Sequence, residues 1–334
     1  MFRFIVRRLL QVIPTLFGLS LLLFIWLHRL PGGPETAILG ERGTPELRAR
    51  IRHDMGLDEP IWVQYGKFMK RVLSGDLGTS ISTKRPVTTE FLERFPGTIE
   101  LTVVALIFAI GLGIPLGYLA ARRRGSWIDS VTVGVGLLGI CTPVFFLGYI
   151  YKQVFAVNLG WFPTTGRQDV TIDATRVTGF FVLDGILTRE WDASIDAFMH
   201  LVLPALTLAS IPLAVVMRIT RASVLEVMQE DFVRTAESKG LTRKVIRGRH
   251  IMRNAMLPVA TTIGLLTGSL LSGAVLTETV FAFSGVGSFI VEAIDRRDYP
   301  VLMGFIMLFA LVYVLINLIV DVSYTFIDPR VRVR

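Results

Sequence analysis

The chain has 334 residues, of which 52% are hydrophobic and only 19% charged, and its mean hydropathy is +0.57. Soluble domains carry about 25% charged residues, so an ordinary water-soluble globular protein is excluded. The net charge of +8 does not indicate nucleic acid, because Lys and Arg cluster beside apolar runs, as in the cytoplasmic loops of a membrane protein.

Six apolar stretches approach the roughly 20 residues needed to cross a bilayer. In chain order they are Leu9 to Leu27, Thr98 to Ala121, Val131 to Val157, Leu201 to Met217, Leu257 to Thr277 and Leu302 to Val322. The fourth is short and is expected to continue as helix through Arg221. The first follows Arg3, Arg7 and Arg8 as a secretory signal does, but His28-Arg29-Leu30-Pro31-Gly32-Gly33-Pro34 stands where a small-residue cleavage site is required, so it reads as a retained span. If the spans alternate, the N-terminal arginines, Arg122-Arg123-Arg124, the run from Arg218 to Arg253, and Arg330, Arg332 and Arg334 share one side. The positive-inside rule makes that side the cytoplasm and puts both termini inside. The expectation is an all-α integral membrane protein with six transmembrane helices, N-in and C-in. Its parts are a tail and first span (1–30), a short helical extracytoplasmic insertion (31–97), and a core of five spans (98–334).

Within the insertion, Thr44 can cap a helix that starts at Pro45, carries Leu47, Ile51 and Met55 on one face and ends at Gly56. A second helix starts near Pro60, gathers Ile61, Tyr65, Phe68 and Val72, and stops at Gly75. Both are amphipathic and need a cover: neighbouring spans, the membrane interface, or an external protein.

The spans themselves are poor in ionisable groups. Glu100, Lys152 and Glu278 lie near outer ends, Asp321 near the inner end, and no charge lies near a midplane. A midplane charge costs about 2.5 to 3.5 kcal/mol on insertion scales and is retained where a mechanism uses it, so this pattern argues against a proton-driven carrier. Small residues occur in Gly111-Leu112-Gly113-Ile114-Pro115-Leu116-Gly117, in Gly134-Val135-Gly136 with Gly139, and in Gly264, Gly268, Ser269, Ser272 and Gly273. They suit close helix approach, and alternatively a wide, weakly selective path. Thr142, Pro143, Ser210 and Pro212 are candidates for lining such a path, with helix kinking as the alternative.

No site for chemistry is evident. A G-x-x-x-x-G-K-[ST] phosphate loop is absent, and Gly285-Val286-Gly287 is only a fragment of a dinucleotide fingerprint. The single cysteine, Cys141, rules out intrachain disulfides and cysteine metal clusters, and His200 and His250 lack partners at ligand spacing. No catalytic, metal or cofactor-binding residue is therefore assigned.

The most distinctive polar segment lies between the fourth and fifth spans, at about 226–258. Asp231 can cap a helix from Phe232 to Lys239, Ala236 leaves room for a close neighbour, and Gly240 can take the positive φ that ends it. A basic, helix-capable stretch follows from Leu241 to Arg253, and Pro258 suits the boundary of the next span. The pattern fits a rigid handle for a cytoplasmic partner and equally a solvated basic loop. A DNA-reading helix-turn-helix would be held at the bilayer by the flanking spans.

This segment resembles the EAA loop of ABC importer permeases, with Ala236, Gly240, Leu257 and Pro258 at matching positions. It departs from the general pattern at Arg234 and Thr235, where Arg-Thr-Ala is similar to the form used in the peptide and nickel branch. The resemblance extends over nearly the whole chain, through Arg7-Arg8-Leu9 with Ile13-Pro14-Thr15, Pro31-Gly32-Gly33-Pro34, Gly56-Leu57-Asp58-Glu59-Pro60, Gly75-Asp76-Leu77-Gly78, Leu276-Thr277-Glu278-Thr279-Val280-Phe281, Arg296-Arg297-Asp298-Tyr299-Pro300 and Asp328-Pro329-Arg330. It is strongest toward B-type subunits of the dipeptide, oligopeptide and nickel family.

The resemblance implies a type I importer permease in a bacterial inner membrane. It implies a homologous C-type permease, two ATPase subunits that bind ATP and Mg, and an extracytoplasmic binding protein that delivers a di- or oligopeptide. It places the ATPase contact on Asp231, Arg234, Ala236, Lys239, Gly240 and Leu241, joined to the fifth span by Asn254 and Pro258. Relatives of the same architecture handle nickel, glutathione or haem, and an ion-coupled secondary carrier is the more distant alternative.

Overall fold

The computed structural model describes residues 2–29, 39, 44–54 and 58–327. The described elements are helices α1 (Phe2–Arg29), α2 (Pro45–Asp54), α3 (Ile61–Leu73), α4 (Val87–Arg122), α5 (Trp127–Cys141), α6 (Val144–Asn158), α7 (Phe181–Thr188), α8 (Trp191–Val227), α9 (Asp231–Ser238), α10 (Arg243–Val280), α11 (Val286–Asp295) and α12 (Tyr299–Ile327). Among the described residues the one β-type pairing is an isolated bridge between Thr79 and Pro86. Met55 and Gly56 of the first small helix lie outside the described residues, as do Pro31-Gly32-Gly33-Pro34 and Asp328-Pro329-Arg330.

Five helices, α1, α4, α8, α10 and α12, are long and apolar enough to cross a membrane, and α5 with α6 makes a sixth span if counted as one. That pair covers the expected span from Val131 to Val157 and bears out helix kinking at Thr142-Pro143, more sharply than an ordinary kink. The helix breaks at Thr142-Pro143 and the two halves meet at 111°. Pro143 has no N–H to continue the ladder and disfavours α-geometry at the residue before it, so Thr142 is extended, with ψ 127°, and α6 restarts at Val144. Two other spans begin earlier than their apolar cores suggest. α4 starts at Val87 rather than Thr98 because the charges of its first turns are paired, Arg94 with Glu90 and Arg85 with Glu93. α8 starts at Trp191 rather than Leu201 and, as expected, runs past Arg221, to Val227.

The chain packs as two compact units. The first comprises residues 1–96 and 285–318. Here α3 sits on α1 and α12, with Phe68 buried among Leu23, Phe24 and Met307, while Phe91, Phe289 and Phe305 fill a second cluster. The two small helices behave largely as their sequences suggest. The Thr44 hydroxyl accepts from the Leu47 amide at 3.3 Å, and α3 ends at Leu73 just before Gly75, whose φ is +80°.

Asp298 is fully buried at the start of α12 and accepts from Ser80 Oγ at 2.6 Å and from the Ser82 amide and hydroxyl at 3.0 and 2.8 Å. It also accepts from the Val301 amide at 3.4 Å, as an N-cap does. The structure thus joins two stretches that carry the family resemblance, the turn after Gly75-Asp76-Leu77-Gly78 and Arg296 to Pro300. Burial works against ionisation of Asp298, but the donors Ser80, Ser82 and the Ile81 amide outweigh it and hold the carboxyl below the usual carboxylate range. A group depressed in the folded state contributes stability above its unfolded pKa of about 3.9, and that contribution is lost as pH falls through the folded value. Detergent-solubilised protein should therefore lose thermal stability below about pH 4, and Asp298→Asn should flatten that acid limb while lowering stability at neutral pH by about 1–3 kcal/mol. Identical melting curves across the acid range would remove Asp298 from this account.

The second unit comprises residues 97–284 and 319–334. Its hub is α8, whose most apolar window is 67% buried, against 17–33% for the other long spans. The other spans therefore keep broad faces for lipid or further subunits. Close approach depends on glycine at the α4–α8 crossing, where a Cβ on Gly117 would lie 2.5 Å from the Met217 carbonyl oxygen and one on Gly113 2.9 Å from Val216. That is the ordinary role expected of the small residues in this span. At one end of the unit Arg167 and Glu100 form a buried ion pair at 3.0 Å, and Glu100 also accepts from the Val182 amide at 2.8 Å. Glu278 is fully buried and accepts from the Thr98 hydroxyl at 2.7 Å.

Candidate functional site

The segment from α8 to α10 forms a short helix on a stem. After α8 the chain turns through Met228 to Glu230, with the amides of Met228, Gln229 and Glu230 bonded back to Val224, Glu226 and Val227. α9 then begins at Asp231, one residue earlier than expected. Glu230, with extended backbone, is the N-cap and makes no side-chain cap bond, so Asp231 is not the cap. Asp231 instead lies in the first turn, where a carboxylate favours the helix dipole, and faces Arg234 at 3.8 Å.

α9 has two sides set by an i, i+3 pair. Val233 and Ala236 are 4% and 3% exposed and pack with Val224, Ile246, Ile251 and Ala255 of the same chain. Ala236 therefore takes its close neighbour from the chain's own stem: a small side chain here lets α9 lie flat on the bases of α8 and α10. The opposite side presents Asp231, Phe232, Arg234, Lys239, Gly240 and Leu241. Gly240 has φ +73°, and the amides of Lys239, Gly240 and Leu241 return to Thr235, Glu237 and Ala236. This is a left-handed C-terminal cap of the kind glycine favours.

α10 corrects a further expectation. The basic stretch and the fifth span are one helix from Arg243 to Val280, with a π-turn over Ile246–Met252 and Pro258 inside it rather than at its start. A proline here leaves the Asn254 carbonyl without its i+4 donor. Asn254 is exposed, and its side-chain amide donates to the His250 carbonyl at 2.7 Å. The first turns of α10 therefore depart from regular α-helix at the π-turn and again near Pro258.

A contact that the sequence reading missed ties this stem to the bent span. Arg221 on α8 grips Asp129 on α5 with two bonds, Nε to Oδ1 at 2.6 Å and Nη2 to Oδ2 at 2.8 Å, and the Gly125 amide also donates to Asp129 at 3.0 Å. Charge complementarity across 92 residues gives no local sequence signal.

The four path candidates fall in two settings. Thr142 is half-buried and Pro143 exposed, both at the break between α5 and α6. Ser210 and Pro212 are buried in α8, and Gly139 of α5 lies against the Ser210 backbone. The Ser210 hydroxyl has no hydrogen-bond partner. A polar row follows one face of α10 through Asn254, Thr261, Ser269, Ser272 and Thr279, all exposed; the sequence singles out Asn254, Ser269 and Ser272 for other reasons, but not the row. Its hydroxyls donate to carbonyls of their own helix, for example Ser269 to Leu266 at 2.8 Å and Thr279 to Val275 at 2.9 Å.

Comparison with known proteins covers both ends of the chain. Residues 1–102 match the N-terminal family described as a binding-protein-dependent transport system membrane component, and residues 113–333 match the family described as a binding-protein-dependent transport system inner membrane component. The chain is 46% identical over 336 residues to the dipeptide transport system permease protein DppB of Escherichia coli (strain K12), covering 99% of each chain. It is 44% identical over 333 residues to the di/tripeptide transport system permease protein DppB of Pseudomonas aeruginosa (strain UCBPP-PA14), again covering 99% of each, and 38% identical over 332 residues to the glutathione transport system permease protein GsiC of Salmonella choleraesuis (strain SC-B67), with 99% of each covered. With five to six apolar spans among its described residues and family matches over both of its parts, the chain belongs to the inner membrane components of binding-protein-dependent transport systems.

Proposed function

We propose that this chain is one of two permease subunits of an ATP-driven importer for dipeptides or oligopeptides. ATP and Mg would be held by two partner ATPases, a homologous C-type permease would complete the path, and an extracytoplasmic binding protein would deliver the substrate. The observation that carries the reading is α9: a short amphipathic helix seated by Val233 and Ala236 on the chain's own stem, with Asp231, Arg234, Lys239, Gly240 and Leu241 facing outward. A rigid helix seated on the bases of two long helices moves them together when a docked subunit moves it. The nickel, glutathione and haem alternatives share this coupling and differ in what the binding protein supplies.

In this reading the path is lined by the α10 row from Asn254 to Thr279 together with Thr142 and Pro143 at the bent span, with Ser210 and Pro212, buried in α8, as further candidates. Hydroxyls whose protons are already used by their own helix offer weak, unselective contacts, which suits a route whose selection is made elsewhere. The test is reconstitution with the partner ATPases and a panel of binding proteins. ATPase stimulation and uptake should follow the binding protein loaded with a dipeptide, and stimulation by nickel- or haem-loaded receptors alone would overturn the peptide assignment.

Topology is tested separately. In a Cys141→Ala background, cysteines replacing Arg123 and Arg243 should stay unlabelled by an impermeant thiol reagent in intact cells, and cysteines at Thr44 and Asp173 should react. Labelling of the Arg243 position from outside would overturn the N-in, C-in arrangement.

A further inference from the structure

α3 is placed too deep to be an ordinary surface helix. It leans on two membrane spans at once, and each gives its depth. On α1, whose apolar span is Leu10–Arg29, Tyr65 Oη meets Ser20 Oγ at 2.8 Å, and the Phe68 and Tyr65 rings pack on Phe24 at 5.9 and 5.3 Å between centroids. At a rise of 1.5 Å per residue, Phe24 lies about 8 Å and Ser20 about 14 Å inside the Arg29 end. On α12, whose apolar span starts at Tyr299, Phe68 joins Met307, about 12 Å inside that end by the same arithmetic. Half of a hydrocarbon core is about 15 Å, so two independent spans put the inner face of α3 within the apolar layer.

The rest of its surface has the composition such a position requires. With 100° per residue, Tyr65, Phe68 and Val72 form the face against α1 and α12. On one flank Trp62, Gly66, Met69 and Leu73 follow the same helical line; Met69 is partly covered by the cluster beneath α3, while the two ends of the flank are open, Trp62 being 72% and Leu73 82% exposed. The remaining face carries Lys67, Lys70 and Arg71, all exposed, long enough to keep their charges at the headgroup level while their stems lie on apolar surface. His28 and Gln64, at 3.0 Å, and Lys67 and Glu59, at 2.6 Å, fix the helix at its upper edge.

We propose that α3 is an in-plane membrane helix. Its Trp62–Leu73 flank lies among the acyl chains of the leaflet at the Arg29 end, and Lys70 and Arg71 meet phospholipid phosphates. The bilayer is its occupant because depth is set by the two spans it rests on, while a soluble protein would have to enter the apolar layer to reach Trp62 and Leu73. The helix anchors the insertion after the first span to the membrane and fixes the outer end of α1.

The test uses the full-length chain with Cys141→Ala, carrying Trp62→Cys or Leu73→Cys labelled with an environment-sensitive fluorophore, in vesicles of phosphatidylethanolamine and phosphatidylglycerol. Both labels should emit at blue-shifted wavelength and be quenched at least about twofold more by shallow doxyl-lipids than by aqueous iodide, as expected for a helix sunk 5–10 Å into the interface. A label at Asp173→Cys supplies the aqueous reference, and one at Lys67→Cys should lie between. If the labels at positions 62 and 73 respond to iodide as the one at 173 does, with the labelled protein still monodisperse, the helix is outside the bilayer and the proposal fails. It fails equally if they become shielded only when a soluble binding protein is added.

Discussion

Gly240→Val should reduce import at least tenfold without reducing the amount of the chain in the membrane, because a 1.4 kcal/mol penalty corresponds to about a tenfold shift and left-handed backbone costs about 1–2 kcal/mol for a residue with a Cβ, more for a β-branched one. The reasoning is geometric. Gly240 has φ +73°, yet a Cβ built there meets nothing within 4 Å. Space is therefore not the obstacle; the backbone conformation is. A valine would pull residue 240 out of the left-handed region and break the returns of the Gly240 and Leu241 amides to Glu237 and Ala236, so that α9 would no longer end where its outward face requires. Gly240→Asn is the discriminating control, since asparagine tolerates this conformation: it should retain most import. Equal activity of the valine and asparagine variants would show that the left-handed cap is irrelevant to coupling. Ala236→Phe should fail for a different reason, by overpacking the seat formed by Val224, Ile246 and Ala255, with a cost of about 1–3 kcal/mol. It should release α9 from the stem and expose it to protease, whereas Gly240→Val should leave the seat intact.

The parts of the fold that sequence made legible are those carried by local pattern. Apolar runs located all six spans, and the i, i+3, i+7 spacing of Tyr65, Phe68 and Val72 located α3. Boundaries were misjudged where charge is neutralised by a neighbour: hydropathy alone sees Glu90 and Arg94 as the end of a span, but one helical turn brings them together and the helix of α4 continues through them. The bend in the third span had a visible cause, Pro143, yet a proline in an apolar run gives no angle, and the 111° turn depends on the packing of both halves against α8. In the coupling segment, glycine at 240 announced its own conformation because few residues adopt it, whereas the direction of Ala236 depended on which neighbour lay beneath it. Eight residues with three apolar positions, Phe232, Val233 and Ala236, cannot distinguish a surface offered to a partner from one already used at home. Long-range pairs such as Asp129 with Arg221 and Ser80 with Asp298 had no local signature at all, although Asp298 stood inside a stretch that the family resemblance had marked.

Arg167→Ala should be among the most damaging single substitutions outside the coupling segment, and it lies in a loop where sequence suggested nothing. Its guanidinium is 7% exposed, donates to Glu100 at 3.0 Å and to the Gly179 carbonyl at 3.0 Å, and lies 3.7 Å above the Phe181 ring. Gly97 makes room for it, since a Cβ there would sit 2.9 Å from Cζ. Burial pushes the Arg167 guanidinium below its ordinary pKa, while the Glu100 carboxylate beside it opposes that shift. Removing the arginine leaves Glu100, 8% exposed, with the amides of Phe181 and Val182 as its hydrogen-bond donors and the more distant Arg176 as its remaining cation. Breaking a buried pair in this way costs about 3–5 kcal/mol, much more than the intact pair contributes relative to an apolar replacement. The segment from Arg167 to Val182 should then detach from α4, seen as a lowered melting temperature and new protease cleavage between residues 159 and 190. Arg167→Lys should recover little, because Nη2 makes both bonds from the far end of a planar guanidinium that also stacks on Phe181, and a shorter, more strongly hydrated ammonium loses that stacking and reach. The decisive comparison is the double variant Arg167→Met with Glu100→Gln, in which neither charge remains to be buried alone. It should regain most of the lost stability; a double variant no better than Arg167→Ala would mean that the arginine acts by packing on Phe181 and not by neutralising Glu100.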